Sequence, residues 1–274
     1  MVTPASKREA VNHLKIVYSK SERKGCKLIG ISRRTYKYEH KKKDDFELID
    51  LLLSLAERFP NYGFWKLYKR EFKTSSYNHK RVYRVYKQLG LHIRKKVKRR
   101  LPARVKSPIE IPTEANKQWS MDFMHDRLYD GIKVRLLNII DHYNRELIAI
   151  EVGQSMNANR VVQVLERLKN EGRTSKSIRV DNGPEFISKT LAKWAQKNSV
   201  QLDYIQPGKP TQNAIVERLN RSCREELLNA YVFDSYQQIE QMATSWQYEY
   251  NNFRPHDALA GLSPIVYKNQ KKVA

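Results

Sequence analysis

Apolar residues recur every three or four positions through the first part of the chain and every second position after about residue 114, and that change of period divides the sequence. Val11, Leu14 and Tyr18 predict an amphipathic helix over residues 6–20. A short apolar helical turn at 26–29, a bend at Gly30 and Ile31, and Ser32 as N-cap before Arg33, Arg34 and Lys37 then outline a helix-turn-helix, with basic residues on its second helix. A second helical unit follows. Asp44 or Asp45 caps a helix that turns Phe46, Ile49, Leu52, Leu53 and Ala56 inward, residues 60–63 make a turn, and 64–72 form a helix. Asn78 caps another, with Val82, Val85, Tyr86 and Leu89 inward and Gly90 at its end.

Beyond Pro112 the pattern is that of strands. Residues 118–124 place Trp119, Met121 and Phe123 on one face and Asp122 on the other, and 132–140 and 147–152 read as two more strands. Asn157 caps a helix carrying Val161, Val162, Leu165 and Leu168; 178–180 is a buried strand ending at Asp181; 188–198 is a helix, 202–205 a strand and 213–228 a long helix. Three strands followed by alternating helices and strands predict an α/β sheet with helices on its faces. The expected organisation is a basic helical region over 1–101, a linker over 102–113 marked by Pro102, Pro108 and Pro112, and an α/β region over 114–274 closing in a helical segment.

Charge sharpens this division. The 274 residues carry 52 Lys and Arg against 29 Asp and Glu, a net charge of +23, and residues 1–113 hold 30 of the bases and only 10 of the acids. Arg94, Lys95, Lys96, Lys98, Arg99, Arg100, Arg104 and Lys106 crowd thirteen residues that contain no acid, and Lys80, Arg84 and Lys87, with Arg81 beside them, form a basic stripe on the helix before. Such a segment repels itself unless a polyanion is near. DNA, RNA and an anionic membrane surface all qualify, but Val97 and Leu101 alone make no apolar face for a membrane helix, so nucleic acid is the expected partner and a solvated linker the plain alternative. With 40% hydrophobic residues the chain is no disordered polycation. Cys26 and Cys223 stand in no zinc or disulfide spacing, no apolar run is long enough to span a membrane, and no signal peptide is present, which predicts a cytoplasmic protein.

Three acids stand out in the α/β region: Asp122 within its first strand, Asp181 at the end of a later strand, and Glu217 on the long helix. Carboxylates so placed can hold Mg²⁺, which takes oxygen ligands. Singly, each has an ordinary explanation. Asp181 and Asp141 suit turns, and Glu217 suits an exposed helix as the i,i+4 partner of Arg221. Glu185, in the turn after Asp181, has a weaker claim on the site.

The spacing, with 58 residues between Asp122 and Asp181 and 35 between Asp181 and Glu217, resembles the DDE transposase and retroviral-integrase superfamily, whose core has a ribonuclease H-like fold. The surrounding words are more specific: Trp-Ser-Met-Asp-Phe at 119–123, Val-Asp-Asn-Gly-Pro-Glu-Phe at 180–186, Lys-Pro-Thr-Gln-Asn-Ala-Ile-Val-Glu-Arg-Leu-Asn at 209–220, and Tyr-Asn-Asn-Phe-Arg-Pro-His at 250–256. They are similar to the second-frame (OrfB) product of bacterial insertion sequences. So are Phe-Pro-Asn-Tyr-Gly-Phe-Trp at 59–65 and Asn-His-Lys-Arg-Val at 78–82, so the likeness covers most of the chain.

The resemblance implies a ribonuclease H-like integrase core behind an all-α, helix-turn-helix-like basic region, and a Mg²⁺-dependent DNA transposase that cuts element ends and transfers the freed strand. Asp122, Asp181 and Glu217 would be the catalytic metal ligands, for two ions with Mn²⁺ able to substitute. Lys80, Arg81, Arg84, Lys87, Arg94, Lys95, Lys96, Lys98, Arg99, Arg100, Lys209, Asn213 and Arg221 would contact DNA, with Asn213 alternatively orienting Glu217. Arg254 and His256 are expected to order the C-terminal segment, with DNA contact the alternative, and Trp119, Trp194 and Trp246 to pack the core rather than stack on bases. The implied partners are double-stranded DNA at element ends and target, further copies of the chain in a synaptic complex, and an upstream-frame product, with no membrane, in a bacterial cytoplasm at the nucleoid. A non-catalytic DNA-binding regulator and a plain metal nuclease are the rival readings. Retroviral integrases add a His-His-Cys-Cys zinc module that a lone Cys26 cannot build, so for that branch the likeness stops at the core.

Overall fold

The computed structural model describes residues 3–39, 44–93, 111–206 and 210–273. Contacts divide the chain into two compact units, up to Glu47 and from Leu48 on.

The first unit is a small three-helix cluster: α1 Pro4–Val17, α2 Glu22–Ile29 and α3 Arg33–Tyr36. Thr3, Ser21 and Ser32 cap the three, each side chain accepting a backbone N–H, and Gly30 ends α2 in the left-handed conformation at φ 65°. Its core is thin. Val11 is fully buried against Gly25, where an added Cβ would lie 3.2 Å from Val11 Cγ1, while Leu14 is half-buried and Tyr18, past the helix end, is exposed. The second helix of the expected helix-turn-helix is a single turn, with Arg33 and Lys37 both paired to Glu22, at 2.9 and 3.4 Å.

The second unit begins with α4 Phe46–Arg58, whose first residues lie at the division, then α5 Phe64–Leu67, which continues as a π-helical turn over Tyr68–Phe72, and α6 His79–Gln88. Asp44 and Asn78 accept backbone N–H bonds at the starts of α4 and α6, as the sequence predicts. The buried face of α4 differs from the predicted one. Leu48, Leu52 and Leu55 face inward, whereas Phe46 and Leu53 are exposed. A helix apolar on nearly every side offers no periodicity by which to choose a face.

A five-stranded sheet in the order β3-β2-β1-β4-β5 follows, built from β1 Gln118–Arg127, β2 Lys133–Asp141, β3 Leu147–Gly153, β4 Ser177–Val180 and β5 Gln201–Tyr204. The first three strands are antiparallel neighbours, and β4 and β5 run parallel to β1. Because side chains alternate, β1, β2 and β3 feed two cores. Met121, Leu137, Ile139 and Val180 pack with α7 Ala158–Asn170 and α8 Lys189–Lys197; Met124, Leu136 and Ile140 pack with α9 Ala214–Cys223 and α10 Tyr236–Asn252. This is the predicted α/β sheet with helices on both faces. Trp119, Trp194 and Trp246 are buried in it. The helix α9 continues as a π-helical turn over Arg224–Leu228, and α11 Pro264–Val273 closes the chain.

The helices α4–α6 carry their own core of Leu52, Leu67, Phe72, Val82 and Tyr86 and lie against the C-terminal elements through polar contacts. Arg70, its side chain 6% exposed, pairs with Glu249, Lys69 reaches Asp257 at 2.9 Å, and Asn61 Nδ2 donates to the Glu225 carbonyl at 2.6 Å. Arg254, expected as a packing residue, is buried and bonded to both oxygens of Glu226 through Nε and Nη2, with the Tyr62 ring 5.9 Å away. Both cysteines are buried and unpaired.

Candidate active site

Parallel pairing of β1 with β4 sets Trp119 opposite Ile178 and Ser120 opposite Arg179. The β1–β4 pairing ends there, so Asp122 and Asp181, each two residues further on, leave the same end of that pairing, Asp181 just past β4. Beyond β4, β1 keeps its other partner, with Asp122 opposite Asn138 of β2. Asp181 opens a turn in which its Oδ1 accepts the Gly183 N–H at 3.0 Å. A Cβ on Gly183 would stand 3.0 Å from that same oxygen, which is why the turn takes glycine.

The third acid comes from the helix lying over this face. Val216, Leu219 and Cys223 anchor α9 in the core, leaving Glu217 exposed and Asn220, one turn on, facing the sheet. Asn220 Nδ2 donates to Asp122 Oδ2 at 2.8 Å, and Asn220 Oδ1 accepts from Asn138 Nδ2 at 2.7 Å. The other Asp122 oxygen accepts the N–H of Phe123 at 2.8 Å. Burial raises the Asp122 pKa first, and the charges of Asp181 and Glu217 add to it; the Phe123 and Asn220 bonds pull the other way, and the net result is about 6. The two neighbouring acids are thus close enough to oppose its ionisation.

Among the described residues none of the three acids forms an ion pair, and Glu217 does not pair with Arg221. The nearby bases are engaged elsewhere: Arg135 holds Glu185 at 2.5 Å above the Phe123 ring, and Arg224 holds Asp126 at 3.1 Å and the His125 carbonyl. Among the same residues no three His, Cys, Asp or Glu side chains close into a ready-made metal cage. The donor set still fits a hard divalent cation in an open site. It offers carboxylate oxygens only, unneutralised by protein, with coordination left for water and phosphate oxygens.

The other predicted site residues fall in several places. Lys80, Arg84 and Lys87 are exposed on α6, whose opposite face is buried; Arg84 also bonds Gln88 at 3.1 Å, and Arg81 lies over the Tyr77 ring. Arg221 is exposed on α9, whereas Asn213 is buried with its Oδ1 unpartnered. Arg94, Lys95, Lys96, Lys98, Arg99, Arg100 and Lys209 lie outside the described residues, as does most of the expected linker. Sequence reasoning overlooked Asn220 and Asn138. The first was findable as the residue three after Glu217, the second as a polar residue in the apolar run of β2.

Residues 112–210 and 198–264 match two profiles described as integrase core domain. An insertion element IS407 protein of 31.7 kDa from Burkholderia multivorans is 35% identical over 90% of this chain and 90% of its own length. The chain belongs to the insertion-element transposases with an integrase catalytic core. An insertion element IS476 protein of 39.2 kDa from Xanthomonas euvesicatoria is 31% identical to this transposase over 97% of the chain and 78% of the relative. Among solved structures, the HTLV-2 integrase catalytic core domain in complex with magnesium covers 57% of the transposase and 98% of its own chain, at 18% identity and a TM-score of 0.46. The function of the family is DNA transposition, and this transposase shares it. Among the described residues no helix is long and apolar enough to cross a membrane.

Proposed function

We propose that the transposase cuts the ends of its element and joins the freed strand to another DNA site at Asp122, Asp181 and Glu217. The observation that supports the reading is that Asp122 and Asp181 lie two residues beyond the same end of the β1–β4 pairing while Asn220 ties the Glu217 helix to Asp122. Divalent cations bound there, two Mg²⁺ or the Mn²⁺ that replaces them, would activate the attacking oxygen and stabilise the leaving one in an in-line displacement.

The chain's own residues supply position. Asn220 and the Phe123 N–H fix both oxygens of Asp122, and Gly183 fixes one of Asp181. Arg221, exposed one turn beyond Glu217, is placed to hold a phosphate oxygen by a charge-assisted bond. In cleavage a water attacks the phosphorus and the P–O3′ bond breaks, giving a 3′-hydroxyl and a 5′-phosphate; in strand transfer that hydroxyl attacks a second phosphodiester, making one P–O bond for the one broken. No covalent protein–DNA link is needed.

DNA enters through the basic helical region, and two ends are brought together by further copies of the chain, with an upstream-frame product as partner or fusion. Labelled element-end DNA incubated with the protein and Mg²⁺ tests the reading. Joined products support it, cut products alone indicate a nuclease, and a shifted but intact band indicates a regulator. Asp122→Asn, Asp181→Asn and Glu217→Gln should each bind DNA and fail to cut; normal cleavage by any of them refutes the ligand assignment.

A further inference from the structure

A cavity of about 290 Å³ lies between α9, the turn joining β2 to β3, the segment after α10 and Lys66 of α5. Four cationic side chains, Lys66, Arg145, Arg218 and Arg254, line it with one carboxylate, Asp257. Both nearby acids are already engaged. Glu226 takes Arg254 through both oxygens, with Lys66 no closer than 3.9 Å, and Asp257 takes Lys69 at 2.9 Å. Arg145 and Arg218 have no ion pair among the described residues, so the cavity keeps an excess of positive charge.

One of its lining residues also has a buried polar atom without a partner, Arg145 Nη1, an N–H donor. Proteins seldom leave such atoms unsatisfied. Arg145 further sits at φ 59°, a left-handed backbone that a non-glycine residue adopts at a cost, and one that clusters at ligand sites. Burial and the charge of Arg254 depress the Lys66 pKa, as expected of a cation lacking enough counter-charge.

We propose that this cavity is a phosphate-binding site, holding one phosphate group between Arg145, Arg218 and Lys66. Arginine forks and a lysine ammonium are the usual partners of phosphate oxygens. The cavity is lined by the Ala214, Arg218 and Ser222 stripe of α9, a different side of the helix from Glu217 and Asn220. Across a helix about 10–12 Å in diameter, it is distinct from the carboxylate site. The phosphate comes either from the backbone of the bound DNA or from a free phosphate ligand.

The full chain is measured with two probes, inorganic phosphate and a 20-base-pair duplex, for wild type, Arg218→Gln, Lys66→Gln and Arg145→Gln. Arg218 is exposed, so its variant keeps the fold even where Arg145→Gln does not. Lys193→Gln, exposed on the outer side of α8, is the control for loss of one charge. If the source is DNA, the slope of log affinity against log salt becomes shallower by about 0.9 in each site variant that folds, beyond any change in the control. If the source is a free ligand, inorganic phosphate raises the wild-type Tm above that in chloride of equal ionic strength, the site variants lose that rise, and the duplex slope stays unchanged. No phosphate-dependent rise together with control-like duplex slopes overturns the proposal. Neither probe measures cleavage, so failure of the carboxylate assignment and failure of this site remain separable.

Discussion

Asn220 holds Asp122: its side-chain amide donates to Asp122 Oδ2 at 2.8 Å while its own oxygen is held by buried Asn138 at 2.7 Å. The pair ties α9 to β1 and β2 at Asp122. Groups that orient metal ligands are worth about 10–100-fold in metal affinity or activity. Asn220→Ala should therefore raise the Mg²⁺ concentration for half-maximal cleavage by about that factor, with duplex affinity unchanged. Unaltered Mg²⁺ dependence would show that Asp122 is held by other means.

The Arg254–Glu226 pair joins the segment after α10 to the end of α9, with Ser222 Oγ accepting a third bond at 3.0 Å. Both side chains are about nine-tenths buried. Removing Arg254 leaves the buried Glu226 carboxylate with only Trp246 Nε1 at 3.3 Å and Lys66 at 3.9 Å, and breaking such a pair costs about 3–5 kcal/mol. Arg254→Met should lower unfolding free energy by that amount in a denaturant titration, and Arg254→Met with Glu226→Leu should recover much of it. A double variant as unstable as the single one would mean that the lost contacts to Tyr62 and Tyr250, not the stranded carboxylate, set the cost.

The elements legible in the sequence were those set by local rules. All five strands and the caps Ser32, Asn78 and Asn157 fall where the apolar pattern and capping residues place them. The inward face of α4 was not legible because Leu51, Leu52 and Leu53 leave no polar side. The π-helical turns after α5 and α9 leave no mark in composition. In the site, residue type and spacing singled out Asp122, Asp181 and Glu217, but the Asn138–Asn220–Asp122 chain spans 82 and 98 residues and exists only once α9 docks on the sheet. The polar contacts of Arg70 and Lys69 with Glu249 and Asp257 are non-local in the same way.

His142 is fully buried beside Ser120 Oγ, and burial, with the charges of Arg179 and Arg145, pushes its pKa down to about 3. An unfolded histidine takes its proton near 6.5. Between those values the unfolded state binds a proton that the native state refuses, so stability falls as pH falls from about 6.5, by at most about 1.4 kcal/mol per pH unit. Asp122 works oppositely, keeping its native proton up to about 6. The histidine share is therefore read as a difference: between pH 4.5 and 6.5, His142→Gln should unfold with a flatter pH dependence than wild type. Parallel curves would mean that His142 ionises in the native state.

Residues 1–113 carry 30 bases against 10 acids, and of that excess the structure displays Lys80 and Lys87 on the open face of α6. If the region makes roughly 6–10 phosphate contacts, duplex affinity should fall by about 10³–10⁵ between 50 and 200 mM salt. Lys80→Gln with Lys87→Gln should make the slope of log affinity against log salt shallower by about 1.8, at about 0.9 per contact. Because these lysines belong to a helix that makes its own core, their loss should leave Tm nearly unchanged, which separates a DNA-contact role from a folding one. A salt slope equal to wild type would assign them to a solvated face and leave phosphate binding to the rest of the basic region.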